Sequence, residues 1–340
     1  MEDIQIGKLT ERHADTLARR SASAGFLRAH APVLLLTAIY LPATGLAQLY
    51  FGRPWSVLLT AGIFLPAWGV LSVMYFVGQL AMHPRGLPHR GSYEIGSALL
   101  FTGCLVLMQG AFHASKQSIG HVAGFPWDPA FAWLDAAIHG GDPWRYLHAI
   151  LPAWARWGID RFYATWGVLA LGFSTWCAWS LSPLRDQARV AWMLTWIVVG
   201  TIAAWAFASA GPIFYEKTTG STYFAPLLES LGSTWSMNSL IEGLGWRAHA
   251  LDLDVPMGGL SAMPSMHVAG STLVAIVAAN HSKRAGWLFG SFAMLTMIGS
   301  VTLGWHYAID GYLGALLAWV CWRAAGPVVA AAGRQSTTDR

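Results

Sequence analysis

Long apolar stretches constrain this chain more than any other feature. A backbone inside hydrocarbon must satisfy every N–H and C=O within its own segment, and a helix of about 20 residues does this across a bilayer. Eight stretches qualify, near Ala31–Phe51, Trp55–Met82, Ile95–His113, Phe162–Leu181, Val190–Ala210, Met263–Asn280, Gly286–Leu303 and Tyr307–Trp322. They predict an all-α fold, a polytopic integral membrane bundle of about eight transmembrane helices. Composition agrees: of the 340 residues, 55% are hydrophobic and 11% charged, where a soluble domain carries roughly a quarter charged. Disorder, a coiled coil, a collagen-like fibre and a secreted disulfide scaffold are excluded on the same grounds. Cys104, Cys177 and Cys321 lie far apart within apolar stretches and read as small buried hydrophobes.

Basic residues are retained on the cytoplasmic side of a membrane, so their distribution orients the spans. Lys8, Arg12, Arg19, Arg20 and Arg28 precede the first span. With that tail inside, Arg85, Arg90, Arg185, Arg189, Lys283, Arg284 and the C-terminal Arg323, Arg334 and Arg340 also fall inside. Both termini are therefore expected in the cytoplasm, and the net charge of +4 is a topological signal rather than a nucleic-acid footprint. The N-terminal tail lacks a short apolar region ending in a small-residue cleavage site, so it reads as part of the mature chain. Two long outer segments, roughly 114–161 and 211–262, are rich in Trp, Pro and Gly. Their aromatic and aliphatic residues recur at helical spacing, as in helices lying in the membrane interface.

The chain has no Walker-type glycine loop, HExxH, CxxC or GxSxG. Two of its 12 histidines occupy special positions. In SAMPSMHVAGS, Pro264 and Ser265 suit the first turn of a helix, whose free N–H groups favour a phosphate, and His267 lies within reach of it. In GWHYAIDGYLG, His306 and Asp310 stand four apart. That spacing lets the carboxylate hold one ring nitrogen and leave the other as base or nucleophile. An aspartate at the edge of a span is expensive and usually has a partner and a task. Both histidines fall on the outer side at one membrane depth, so all three groups converge. Further along, Gly311 and Gly314 permit close helix packing, which is more often intramolecular.

Pro264–His267 (PSMH) and His306–Asp310 (HYAID) resemble the second and third signature motifs of the type 2 phosphatidic acid phosphatase superfamily, closest to its inositol phosphorylceramide synthase-like branch. The likeness extends over about residues 120–325, including IDRFYATW around Tyr163 and SAGPIFY at Ser209–Tyr215. It implies a cytoplasmic tail at 1–30, added N-terminal membrane helices at 31–118, a catalytic membrane domain at 119–325 and a second tail at 326–340. It also implies that His306 attacks phosphorus, that Asp310 orients it, and that His267 protonates the leaving oxygen and then activates the acceptor. The superfamily's first motif, a lysine separated by six residues from Arg-Pro, is missing: counting from Lys217 reaches Phe224 and Ala225. Val301 stands where an arginine belongs and Met266 where a glycine does. Cations for the phosphate must come from elsewhere, with Lys217 and Arg247 as candidates, Tyr215 as a hydroxyl donor and Ser265 as a further ligand.

The resemblance implies a lipid phosphotransferase, with a lipid phosphate phosphatase acting on phosphatidic acid or undecaprenyl diphosphate as the alternative. Both imply membrane lipid substrates, a possible lipid alcohol acceptor, no nucleic acid, no metal and no cofactor. The charge bias suits a bacterial inner membrane with a periplasmic site. A proton-coupled transporter would need ionisable groups through the span interiors, where Gln79 and Gln109 are the strongest polar residues.

Overall fold

The computed structural model describes residues 23–58, 61–83, 90–232, 237–253 and 259–337. Most of the expected N-terminal tail, up to residue 22, lies outside them. The described residues contain helices and connecting turns but no strand. Three long helices come first: α1 (Ala31–Tyr50), α2 (Ala61–Met82) and α3 (Ser92–Val122). Short helices α4 (Asp128–His139), α5 (Pro143–Ile150) and α6 (Ala153–Ala164) lead to α7 (Trp166–Trp179). Next is α8 (Arg185–Ile197), which continues through a π-type turn at Val198–Ala203 to Ala206. A second group of short helices, α9 (Tyr215–Thr219), α10 (Ala225–Leu231) and α11 (Met237–Ala250), precedes α12 (Met266–His281), α13 (Lys283–Thr302) and α14 (Ala308–Thr337).

Six of these helices are long and apolar enough to cross a bilayer, namely α1, α2, α3, α8 with its continuation, α13 and α14. The other two anticipated spans are shorter, with 14 residues in α7 and 16 in α12. The stretch at Phe162–Leu181 is broken at Thr165, whose hydroxyl donates to the Phe162 carbonyl and separates α6 from α7. The third span runs nine residues past His113, because Ala114, Ser115, Ser118 and Ile119 are buried against the bundle. Residues 114–122 therefore continue the third helix and are not loop, and His113 and Lys116 lie within α3. At the other end, α14 continues as helix through Thr337, well into the expected C-terminal tail.

One apolar core joins α1, α3, α7, α8, α12 and α14 through Phe101, Met108, Cys177, Trp192, Met193 and Leu273. All three cysteines are free and buried, as the sequence suggested. Ser282 caps α13 by accepting from Ala285 N–H, which turns α12 back on α13 in a tight hairpin. A Cβ at Gly314 would meet the Ser265 carbonyl at 2.6 Å, and one at Gly311 would strike the Met297 sulfur. The two glycines thus serve packing within one chain.

Arg189 is the largest polar group in this core, with 1% of its surface exposed. It donates to the carbonyls of Cys177 and Ala178 at the end of α7, to the Ser97 hydroxyl and to Asp186. Carbonyls in the last turn of a helix have no partner within that helix, so the guanidinium satisfies two at once. Arg189→Met should lower the thermal unfolding midpoint in detergent, with a loss of about 1–3 kcal/mol for each buried acceptor left without its donor. Arg189→Lys should recover only part of it, because an ammonium cannot span the same fork.

Candidate active site

The short segment Ser209–Phe214 organises the site through backbone contacts. The Ser209 carbonyl accepts from Ala262 N–H at 2.8 Å and its hydroxyl from Met263 N–H at 3.2 Å, which fixes the strand-like lead into α12. Ile213 N–H donates to the Gly304 carbonyl at 2.9 Å, which fixes the turn before α14. Gly211 lies between them at φ +92°, and a Cβ there would approach the Trp305 carbonyl oxygen to 2.5 Å. Only glycine suits both that conformation and that proximity.

Ser265 is the N-cap of α12, its hydroxyl accepting from Val268 N–H at 3.4 Å. Pro264 therefore stands before the helix and not in its first turn. The Ser265 N–H donates to the Asp310 carbonyl at 3.0 Å, so the starts of α12 and α14 are tied directly together. His267 follows in the first turn of α12. Its ring stacks on Tyr163 at 4.8 Å and 18°, and the Trp166 indole donates to its carbonyl.

His306 also departs from the expected placement. It lies in the turn before α14, not within a helix, yet its Nδ1 is 3.2 Å from Asp310 Oδ2. The Tyr307 N–H donates to the same oxygen at 3.1 Å. The pair therefore meets because Asp310, from the first turn of α14, closes back over the preceding turn. Asp310 is fully buried, and its Oδ1 has no partner among the described residues; the Tyr163 hydroxyl is likewise buried and unpaired among them. The His267 and His306 rings are 6.2 Å apart at 58°. The three residues converge as their positions in the sequence suggested.

The remaining candidates are more scattered. Tyr215 is buried with Phe224 and Tyr307 in an aromatic cluster beside the site. Lys217 stacks over the rings of Phe214 and Trp246 at 5.5 and 5.3 Å. Arg247 is exposed on α11. No group of three or more His, Cys, Asp or Glu able to hold a metal occurs among the described residues.

Sequence reasoning missed the two carboxylates that hold the His306 turn. Asp128 accepts from Ala210 and Gly211 N–H at 2.9 and 3.0 Å and from the Tyr307 hydroxyl at 3.0 Å. Asp135 accepts from Ala308 and Ile309 N–H at 3.0 and 3.1 Å, capping α14 from another helix. Burial pushes both carboxyls above the usual carboxylate range, against the pull of these N–H groups. Their seven-residue spacing places both on one face of α4, a signal that the charged positions of an interfacial helix conceal.

One opening adjoins the site, and a second lies along the bundle. A narrow cleft reaches His306 and Tyr307 between Asp135, Trp144, Phe224 and Leu227. An apolar groove of about 570 Å³ lies between α7, α12 and α13, from Thr165 to His281, lined by Phe173, Trp176, Val274 and Phe292.

A family model described as the PAP2 superfamily matches residues 140–324. Comparison with curated proteins and with solved structures finds no match.

Asp135→Asn exchanges one of two acceptor oxygens for an amide that faces an N–H. It should cost about 1–3 kcal/mol of stability, read as a lower unfolding midpoint, and should depress turnover more than substrate affinity. Gly211→Ala should depress turnover in the same way by displacing the Trp305–His306 turn.

Proposed function

Because this chain belongs to the PAP2 superfamily, we propose that it breaks a phosphoester bond of a membrane lipid, with His306 as the nucleophile. The observation that carries this reading is the contact between His306 Nδ1 and the buried Asp310 carboxylate. An acceptor at Nδ1 favours the tautomer protonated there and leaves the Nε2 lone pair available. Nε2 attacks phosphorus, and the bond to the lipid oxygen breaks with its electron pair. His267 in its protonated form gives that oxygen a proton. The neutral His267 then takes a proton from the acceptor as the acceptor's oxygen attacks phosphorus, and the N–P bond returns its electrons to His306. One difficult displacement is split into two easier ones.

The acceptor we favour is a lipid alcohol, which makes the protein a phosphotransferase of inositol phosphorylceramide synthase type. Support comes from the missing first motif, a departure that this branch shares. Water as acceptor would make it a lipid phosphate phosphatase. The apolar groove beside Thr165 suits the acyl chains of a substrate entering sideways from the bilayer, while the headgroup meets the histidines. The bias of lysine and arginine supports cytoplasmic termini and a site on the periplasmic face of a bacterial inner membrane.

The test is mass-resolved product analysis of the purified protein in EDTA, offered phospholipids and lipid phosphates with and without ceramide or diacylglycerol. A new phosphorylated lipid that depends on one alcohol is the expected result; free phosphate without any acceptor identifies the phosphatase. His306→Ala should fall to background, and His267→Ala by about 10²–10⁴-fold, the usual worth of a general acid–base. Wild-type turnover in His306→Ala would refute the nucleophile assignment. Asp310→Asn should be impaired but retain measurable turnover.

A further inference from the structure

Buried hydroxyls are bonded in native proteins, because taking one out of water without a partner costs free energy comparable to a lost hydrogen bond. Tyr163, in the last turn of α6, departs from that rule beside the histidines. It is 8% exposed, and its hydroxyl has no hydrogen-bond partner among the described residues. Asp310 Oδ1, on the carboxylate that holds His306, shares that condition.

The phenol is placed by its ring. It lies nearly parallel to the His267 imidazole, with centroids 4.8 Å apart and planes at 18°, while the Trp166 ring packs on the same imidazole at 4.3 Å. On α13, Gly299 leaves room for it: a Cβ there would come within 3.1 Å of Tyr163 Cδ2. Phenylalanine would satisfy this packing equally well, with no polar atom to desolvate. The hydroxyl is therefore surplus to the fold. It stands on the rim of a ring stacked on a histidine that is itself 6.2 Å from His306.

A phosphoryl group in flight spreads negative charge over its equatorial oxygens, and enzymes meet that charge with fixed cations or with neutral hydrogen-bond donors. The cations of the family's first motif are absent from this sequence. Of the two other candidates, Lys217 is stacked on Phe214 and Trp246, and Arg247 is exposed on α11. We propose that the Tyr163 hydroxyl is a neutral donor to a phosphoryl oxygen of the substrate, held beside His267 by ring stacking. The assignment rests on the phosphoryl-transfer reading above and adds a substrate ligand to it. A phosphoryl oxygen gives the phenol the acceptor that the described residues do not, so the cost of burying it is offset only when substrate is bound.

The experiment compares full-length wild type, Tyr163→Phe, Tyr163→Leu and His306→Ala in detergent. Thermal unfolding is followed without anion and across titrations of inorganic phosphate and of orthovanadate, alongside lipid turnover. Tyr163→Phe should unfold without anion at or above the wild-type midpoint, because no protein partner is lost. Its half-maximal protection should need at least about tenfold more of either anion, the scale of one hydrogen bond to a charged group. The kcat/KM for lipid should fall by a similar factor. Tyr163→Leu, which also loses the stacked ring, should in addition unfold at a lower temperature. His306→Ala should still be protected while turning over nothing. Protection and kcat/KM equal to wild type in Tyr163→Phe would overturn the assignment and leave the histidine mechanism standing. So would a Tyr163→Phe protein that fails to fold, or one that unfolds earlier without anion while its protection is unchanged, since the hydroxyl would then serve a water or a protein group. Absence of both protection and turnover in wild type would defeat the phosphoryl-transfer reading itself, and this assignment with it.

Discussion

The site depends on how backbone N–H groups are satisfied where helices start inside a membrane protein. To present His306 from a turn, the chain must leave α13 and restart at Ala308, which strips the first residues of α14 of helical partners. Ala308 and Ile309 find theirs in Asp135, Tyr307 finds its own in Asp310, and Ala210 and Gly211 find theirs in Asp128. Unpaired, each of these groups would cost free energy comparable to a lost hydrogen bond. The carboxylates therefore hold the turn and His306 within it, and Asp310 serves the backbone and the imidazole with one oxygen.

The same logic links the site to elements distant in sequence. Ser209 bonds the lead into α12, Gly304 bonds Ile213, and Ser265 bonds the Asp310 carbonyl. His267 and His306 are consequently placed by one continuous backbone network and not by two independent helices. Tyr163 and Trp166, on either side of the break between α6 and α7, complete the placement by packing on the His267 ring. That break shortens α7 to 14 residues and brings the Trp166 indole to the His267 carbonyl. A span given up at full length thus acquires a positioning role.

Much of this architecture was legible in the sequence. Apolar runs located the membrane helices, and the motifs around His267 and His306 identified the residues that converge. The end of α3 was misjudged, because Lys116 and the polar residues around it read as loop; Ser115 and Ser118 are buried and hydrogen-bonded to Trp205 and Gln48. Asp128 and Asp135 read as the wet face of an interfacial helix, since nothing local distinguishes a carboxylate facing water from one facing the N–H groups of another segment. Pro264 reads as part of the first turn but stands just before the Ser265 cap, because proline suits both a first helical turn and the residues just before it.

The sequence by itself determined that the chain is a helical membrane protein and that PSMH and HYAID hold the histidines that converge. Both are local properties: hydrocarbon demands runs of about 20 apolar residues, and the motif residues lie close together in the chain. Which carboxylates hold the turn and where the spans end were decided only by tertiary structure. Those outcomes depend on unpaired groups meeting partners roughly 80 to 180 residues away, such as Asp128 with Ala210 and with Tyr307. Such partnerships arise from how helices pack, and no local pattern of residues encodes them.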